Sequence, residues 1–148
     1  MIVRESRDVL ITDDDAGIRE CVGAALQRHD LSFDTANNGA QALQCMQAKD
    51  YAVVLLDLLM PELDGFGVVA AMSAWTIRPR TRPIVLIMTA FDLRSDLPGI
   101  GENVHALVRK PFDLPELAEL VSGCVRIRQK LEPTRVSASG RRAAGDDA

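Results

Sequence analysis

The sequence predicts an α/β fold, a doubly wound five-stranded parallel sheet with helices on both faces. Short apolar runs alternate with amphipathic stretches along most of the chain, the pattern of repeated strand–helix units. The runs are continuously apolar, as strands covered on both faces are. Acidic, hydroxyl and basic residues recur where those runs stop. At 148 residues, on a prior of roughly 100–200 residues per domain, the chain makes one domain. With 47% hydrophobic and 26% charged residues it can bury a core, and a formal net charge of −4 gives it no general attraction to nucleic acid or an anionic membrane.

Asp8-Val9-Leu10-Ile11-Thr12 reads as the first strand, and Ile18, Cys21, Val22, Ala25 and Leu26 follow at helical spacing. Ser32-Phe33-Asp34-Thr35 is a weaker second strand. Asn37-Asn38-Gly39 marks a turn, and Ala42, Leu43 and Met46 continue as a helix. Tyr51–Leu56 is the strongest strand and ends on Asp57. A loop with Pro61 and Gly65 leads into a third helix around Phe66–Ala74, with Gly65 expected to supply a positive backbone angle. Pro83–Met88 is a fourth strand ending at Thr89, and His105–Arg109 a fifth ending at Lys110-Pro111. The last helix begins near Asp113, which can cap it, and buries Leu117, Leu120, Val121, Cys124 and Val125. The fourth helix should be short or irregular, because Asp92–Asn103 holds Pro98, Gly99 and Gly101. Residues 1–6 read as an N-terminal extension, 7–131 as the folded domain and 132–148 as a disordered tail.

The three cysteines, Cys21, Cys45 and Cys124, match neither a zinc site nor a redox pair and read as small buried hydrophobes. No apolar run reaches the roughly 20 residues of a membrane span, and the first residues lack the apolar stretch of a leader peptide. The expectation is a cytoplasmic protein without a membrane anchor.

In doubly wound sheets ligands bind at the carboxyl ends of the strands, where strand order reverses. Here those ends carry Asp13-Asp14-Asp15, Asp57, Thr89 and Lys110. Clustered carboxylates repel unless something positive compensates them. Mg²⁺ suits such a cluster, since it takes oxygen ligands and commonly one or two carboxylates. A metal beside a carboxylate and a lysine can bind and neutralise a phosphoryl group, and a carboxylate can accept one as an aspartyl phosphate. Taken alone, the Asp triplet reads equally as acid capping the first helix, and Asp15 is better read as that cap than as a ligand.

Val9–Asp15 followed by Ile18-Arg19-Glu20, Val53–Gly65 around Asp57, Met88-Thr89-Ala90, and Lys110-Pro111-Phe112 together resemble the four signature segments of two-component response-regulator receiver domains, in order and at compatible separations over roughly residues 7–130. The resemblance implies a flavodoxin-like sheet of order 2-1-3-4-5. It implies phosphorylation of Asp57, Mg²⁺ held by Asp13, Asp14, Asp57 and the carbonyl of Leu59, and phosphoryl contacts from Thr89, the N–H of Ala90 and Lys110. It also implies a cis Lys110–Pro111 bond. The implied donor is a histidine kinase or a histidine phosphotransfer protein, and the chain is no enzyme beyond its own phosphorylation and dephosphorylation. The tail carries no helix-turn-helix pattern, so, unless the chain is a fragment of a larger protein, the output is expected to be an unknown partner protein, with a homodimer left open.

One position departs from the family. Leu107 stands where the resemblance implies an aromatic switch residue, so the usual threonine–aromatic readout cannot operate. That motivates a second reading, an interaction module that works without phosphate. A phosphatase is disfavoured because Leu59 occupies the place of its general acid. Leu59 and Phe91 flank the site and are apolar, which predicts slow loss of an acquired phosphoryl group.

Overall fold

A computed structural model describes residues 5–75, 82–90 and 104–130. Along the chain run β1 (Ser6–Thr12), α1 (Ala16–Gln27), β2 (Phe33–Ala36), α2 (Gly39–Ala48), β3 (Asp50–Asp57), α3 (Gly65–Ser73), β4 (Ile84–Thr89), β5 (Ala106–Arg109) and α4 (Leu114–Lys130). The strands form one parallel sheet of order β2-β1-β3-β4-β5, as expected. Strand order reverses between β1 and β3.

Alternation along each strand sends side chains to two cores. Leu10, Val54, Leu56, Val85 and Ile87 pack with Ala42 and Met46 of α2 and Val68, Val69 and Met72 of α3. Val9, Ile11, Val53, Leu55, Leu86 and Met88 pack on the other face with Val22 and Leu26 of α1 and Leu117, Val121 and Val125 of α4. β3 lies at the centre, and from Tyr51 to Asp57 every residue is buried, the reason its sequence is an unbroken apolar run.

Local chemistry sets the helix starts. Asp15 caps α1 by accepting from Gly17 N–H at 2.7 Å and Ile18 N–H at 3.3 Å. Asn38 caps α2 through Gln41 N–H at 2.8 Å, and Asp64 caps α3 through Gly67 N–H at 2.9 Å. Asp113 accepts from Glu116 N–H at 3.0 Å, the cap expected for α4. Each satisfies a donor that a helix N-terminus otherwise leaves unpaired.

Four expectations need correction. Gly65 does not supply a positive backbone angle; Glu62 does, at φ 68°. Gly65 opens α3 instead, donating its N–H to the Leu58 carbonyl at 2.9 Å. A Cβ there would lie 2.6 Å from the Asp57 carbonyl oxygen, so close approach rather than torsion demands glycine. Cys21 is exposed, because α1 buries the neighbouring Val22, Gly23 and Leu26 face; Cys45 and Cys124 are only half-buried. Leu120 lies off the buried face of α4 and is exposed. β1 starts at Ser6 rather than Asp8, its first residues pairing with Asp50 and Tyr51. The expected irregular helix over Asp92–Asn103, Phe91 and the tail from residue 132 lie outside the described residues.

Candidate metal and phosphoryl site

Parallel strands bring all their carboxyl ends to one edge. Register then fixes what meets there. Thr12 pairs with Leu56, so Asp13 and Asp57 are the next residues on adjacent strands. Asp57 pairs with Met88, and Thr89 with Arg109, which brings Lys110 to the same edge from the far side of β4. Backbone bonds hold the ends in place: Asp13 N–H to the Ala36 carbonyl at 3.1 Å, Leu58 N–H to Met88 at 3.2 Å and Lys110 N–H to Thr89 at 2.7 Å. The Lys110–Pro111 peptide is cis.

Carboxylate oxygens of Asp13, Asp14 and Asp57 all lie within 4.8 Å of one another. Asp13 and Asp57 are buried, while Asp14 is exposed and closes the cluster from the solvent side. Lys110 Nζ sits 2.8 Å from Asp13 Oδ2 and 3.5 Å from Asp57 Oδ2. Leu59 N–H donates to Asp57 Oδ1 at 3.4 Å. Thr89 is buried at the end of β4, and Ala90 follows it exposed. The structure thus brings together the acids, the threonine and the lysine that the sequence nominated.

A buried carboxylate beside a second negative charge holds its proton more tightly. Burial, and then the negative charge of Asp13, push Asp57 up to about 6 despite the pull of Lys110. Burial works against the charge of Lys110, but its hydrogen bond to Asp13 and the two carboxylates outweigh it and hold the ammonium above its ordinary value. A half-compensated acidic pocket of this kind fits a hard divalent cation: three carboxylates at mutual ligand distance, with an exposed side through which water and phosphate oxygens can complete six-fold coordination.

Sequence reasoning assigned no role to Arg19. Its Nη1 donates to the Asp13 carbonyl at 2.7 Å, and Asp15 N–H donates to Asp13 Oδ1 at 2.9 Å. With Lys110 on Oδ2, each oxygen of Asp13 has one partner and keeps a lone pair for a ligand, so its orientation is set before any ligand arrives. Arg19 lies one helical turn beyond the cap Asp15, the spacing that lets a long side chain reach back over the loop. That spacing was the available signal.

The sequence model of the response regulator receiver domain matches residues 9–122. The chain belongs to the response-regulator receiver family. Receivers are signalling modules of two-component systems, not conventional enzymes. The receiver is 27% identical over 124 residues to the transcriptional regulatory protein SrrA of Staphylococcus aureus, covering 84% of this chain and 50% of that protein. It therefore spans about half the length of the curated relatives it matches. Among solved structures it resembles a CheY-like receiver domain protein from Methanospirillum hungatei, with TM-score 0.74 and 27% identity over 83% of this chain and 97% of the other. It also resembles response regulator protein TrrA from Thermotoga maritima in complex with Mg(2+)-BeF, with TM-score 0.67 and 30% identity over 80% of this chain and 98% of the other. Among the described residues no helix of the receiver is long and apolar enough to cross a membrane.

Proposed function

We propose that this receiver is a phosphorylation-dependent switch that accepts a phosphoryl group on Asp57 and thereby alters its binding to a partner protein. One observation carries the reading: three carboxylates within 4.8 Å of one another, with Lys110 Nζ reaching both buried members of the set. Asp13, Asp14 and Asp57, with the Leu59 carbonyl, would hold Mg²⁺. When bound, the ion supplies positive charge against the oxygens of the transferring group. The related TrrA of Thermotoga maritima forms a complex with Mg(2+)-BeF, which supports that assignment by analogy.

The chain's own residues would do the rest. An Asp57 oxygen attacks phosphorus as the bond to a donor histidine nitrogen breaks, and that nitrogen recovers a proton. Lys110 is already placed to exchange one carboxylate contact for a phosphoryl oxygen. The Thr89 hydroxyl and the Ala90 N–H, at the end of the neighbouring strand, would take the remaining oxygens. The phosphodonor is a histidine kinase or a histidine phosphotransfer protein. We assign the receiver to residues 6–131, since Ser6 already pairs with Asp50 in the sheet, with 1–5 as an extension and 132–148 as a tail, and place the switch in the cytoplasm.

The test is intact-mass measurement after incubation with acetyl phosphate. Expected is a gain of one phosphoryl group that requires Mg²⁺ and is lost in Asp57→Asn. One observation favours a second reading. Leu107, 43% exposed on β5, offers no aromatic ring to report the site's state. An unchanged mass at saturating donor and metal would make the chain an interaction module that works without phosphate.

A further inference from the structure

The loop after β3 carries Leu59, whose carbonyl the proposed switch needs for Mg²⁺. Backbone bonds fix the ends of that loop. Leu58 N–H donates to the Met88 carbonyl at 3.2 Å, and the Leu58 carbonyl accepts from Gly65 N–H at 2.9 Å. Between them the chain turns through Glu62, which holds a left-handed φ of 68° without being glycine. A side chain in that conformation persists only where its surroundings over-determine it. The next residue supplies such a constraint. The Leu63 carbonyl accepts from the N–H of Gly39, the first residue of α2, at 2.9 Å.

Gly39 belongs to a turn signal in the sequence, yet it opens a helix and is buried there. Space, not torsion, demands glycine. A Cβ at this position would lie 2.3 Å from the Leu63 carbonyl oxygen and 2.7 Å from Val68 Cγ2. Heavy atoms in contact settle near about 3.5 Å, so the carbonyl would have to yield by roughly 1 Å. Leu63 is also held from its other side. A Cβ on Gly67 would lie 2.3 Å from Leu63 Cδ1, and the following residue, Asp64, caps α3. With both flanks occupied, a displaced Leu63 passes its shift back along the loop towards Leu59.

Mg²⁺ tolerates little error of this kind, since it demands near-ideal octahedral geometry at ligand distances of roughly 2.0–2.1 Å. We propose that Gly39 is a positioning residue for the metal site. By letting α2 pack directly on the Leu63 carbonyl, it fixes the loop and so holds the Leu59 carbonyl where the cation needs it. Gly39 is no ligand; it acts through Leu63. The role rests on the Mg²⁺ assignment proposed above and adds a coupling to it. Such coupling is reciprocal. If the contact raises the affinity for the ion, the ion must strengthen the bond between Gly39 and Leu63.

Calorimetric titration of the full chain with Mg²⁺, without phosphodonor, tests one direction. Gly39→Ala should raise the Kd by roughly tenfold or more, the scale on which groups that support a metal ligand act. Val125→Ala is the control for lost stability, because it trims a buried side chain in the core on the other face of the sheet. It should bind Mg²⁺ as wild type does. Site-resolved hydrogen exchange on wild type tests the other direction. Mg²⁺ should slow exchange of the Gly39 amide by a comparable factor. The Gln41 amide, bonded to the Asn38 side chain in the same turn, should change much less. If Gly39→Ala does not fold, the exchange measurement alone decides. A Gly39→Ala protein that binds Mg²⁺ as tightly as wild type overturns the proposal while leaving the switch standing. An equal loss of affinity in Val125→Ala does the same, and so does exchange at Gly39 that ignores the ion or slows no more than at Gln41. A wild-type chain that binds no Mg²⁺ overturns both readings.

Discussion

Without metal, the acidic pocket should work against folding, and Asp57→Asn should stabilise the metal-free protein. Folding lifts the Asp57 carboxyl from an ordinary 3.8 to about 6, through burial first and the Asp13 charge second. At about 1.4 kcal/mol per pH unit, that rise amounts to roughly 3 kcal/mol of unfavourable ionisation above pH 6. The carboxylate sits at the open edge of the sheet, where solvent screens part of the repulsion, so roughly 1–3 kcal/mol is the expected gain. In a domain of this size that raises the melting temperature by roughly 3–10 °C. The sign follows from linkage. Between the two pKa values the folded state binds more protons than the unfolded chain, so this group's contribution to stability falls as pH rises from about 4 to about 6.

The assay is thermal unfolding of wild type and Asp57→Asn in a chelator across that pH range. The variant should be more stable at about pH 7.5, and the gap should close near pH 3.5, where both states of the wild type are protonated. Mg²⁺ should then narrow the gap at neutral pH, because metal at a hundred times its Kd adds about 2.7 kcal/mol to wild type and little to the variant. An Asn variant no more stable than wild type in chelator at neutral pH would refute the electrostatic account. A gap that persisted unchanged in acid would do the same.

Lys110→Met leaves the fully buried Asp13 carboxylate without its 2.8 Å ion pair. Urea unfolding should show a loss of roughly 3–5 kcal/mol, the range for breaking one side of a buried pair, and phosphorylation should fall sharply. Gly65→Ala forces a Cβ against the Asp57 carbonyl at 2.6 Å; a loss of roughly 1–3 kcal/mol by the same measurement is expected from overpacking against backbone. His105 Nδ1 accepts from Val85 N–H at 3.0 Å, while burial and the Arg128 guanidinium hold the imidazole below its ordinary value. Its contribution to stability is therefore present above the unfolded-state value and is lost as pH falls below it. His105→Gln should flatten the difference in melting temperature between neutral and mildly acidic buffer, and an unchanged slope would refute that role.

The fold was legible because its signals are local and repeated. Val9–Thr12, Tyr51–Leu56 and Ile84–Met88 are unbroken apolar runs, and a strand buried on both faces leaves no other pattern. The site was legible because the parallel sheet gathers strand ends, so residues far apart in sequence needed only to end strands to meet. What escaped was anything set by distance rather than type. Gly65 reads the same whether it relieves torsion or makes room for the Asp57 carbonyl. Cys21 and Leu120 were each assigned to a buried face they narrowly miss, since one residue turns a helix by about 100°. Arg19 was visible as a charge, but its grip on the Asp13 carbonyl depends on how the loop after β1 folds back.

The contrast between site and readout follows from the same logic. The site requires particular chemical groups, and these must be written in the sequence: acids, a hydroxyl and an ammonium at strand ends. A readout requires only that some surface differ between two states, and many residue types can do that. Ala106 and Val108 pack into the core shared with α1 and α4, so strand alternation turns Leu107 to the opposite face of β5. A leucine there can move in response to Thr89 only through packing, since it has no polar group to trade hydrogen bonds. Its response should therefore be small in amplitude and sensitive to volume. Leu107→Ala and Leu107→Tyr should both alter partner affinity while leaving the rate of Asp57 phosphorylation unchanged. If either substitution changed that rate as much as the affinity, chemistry and readout would not be separable in this chain.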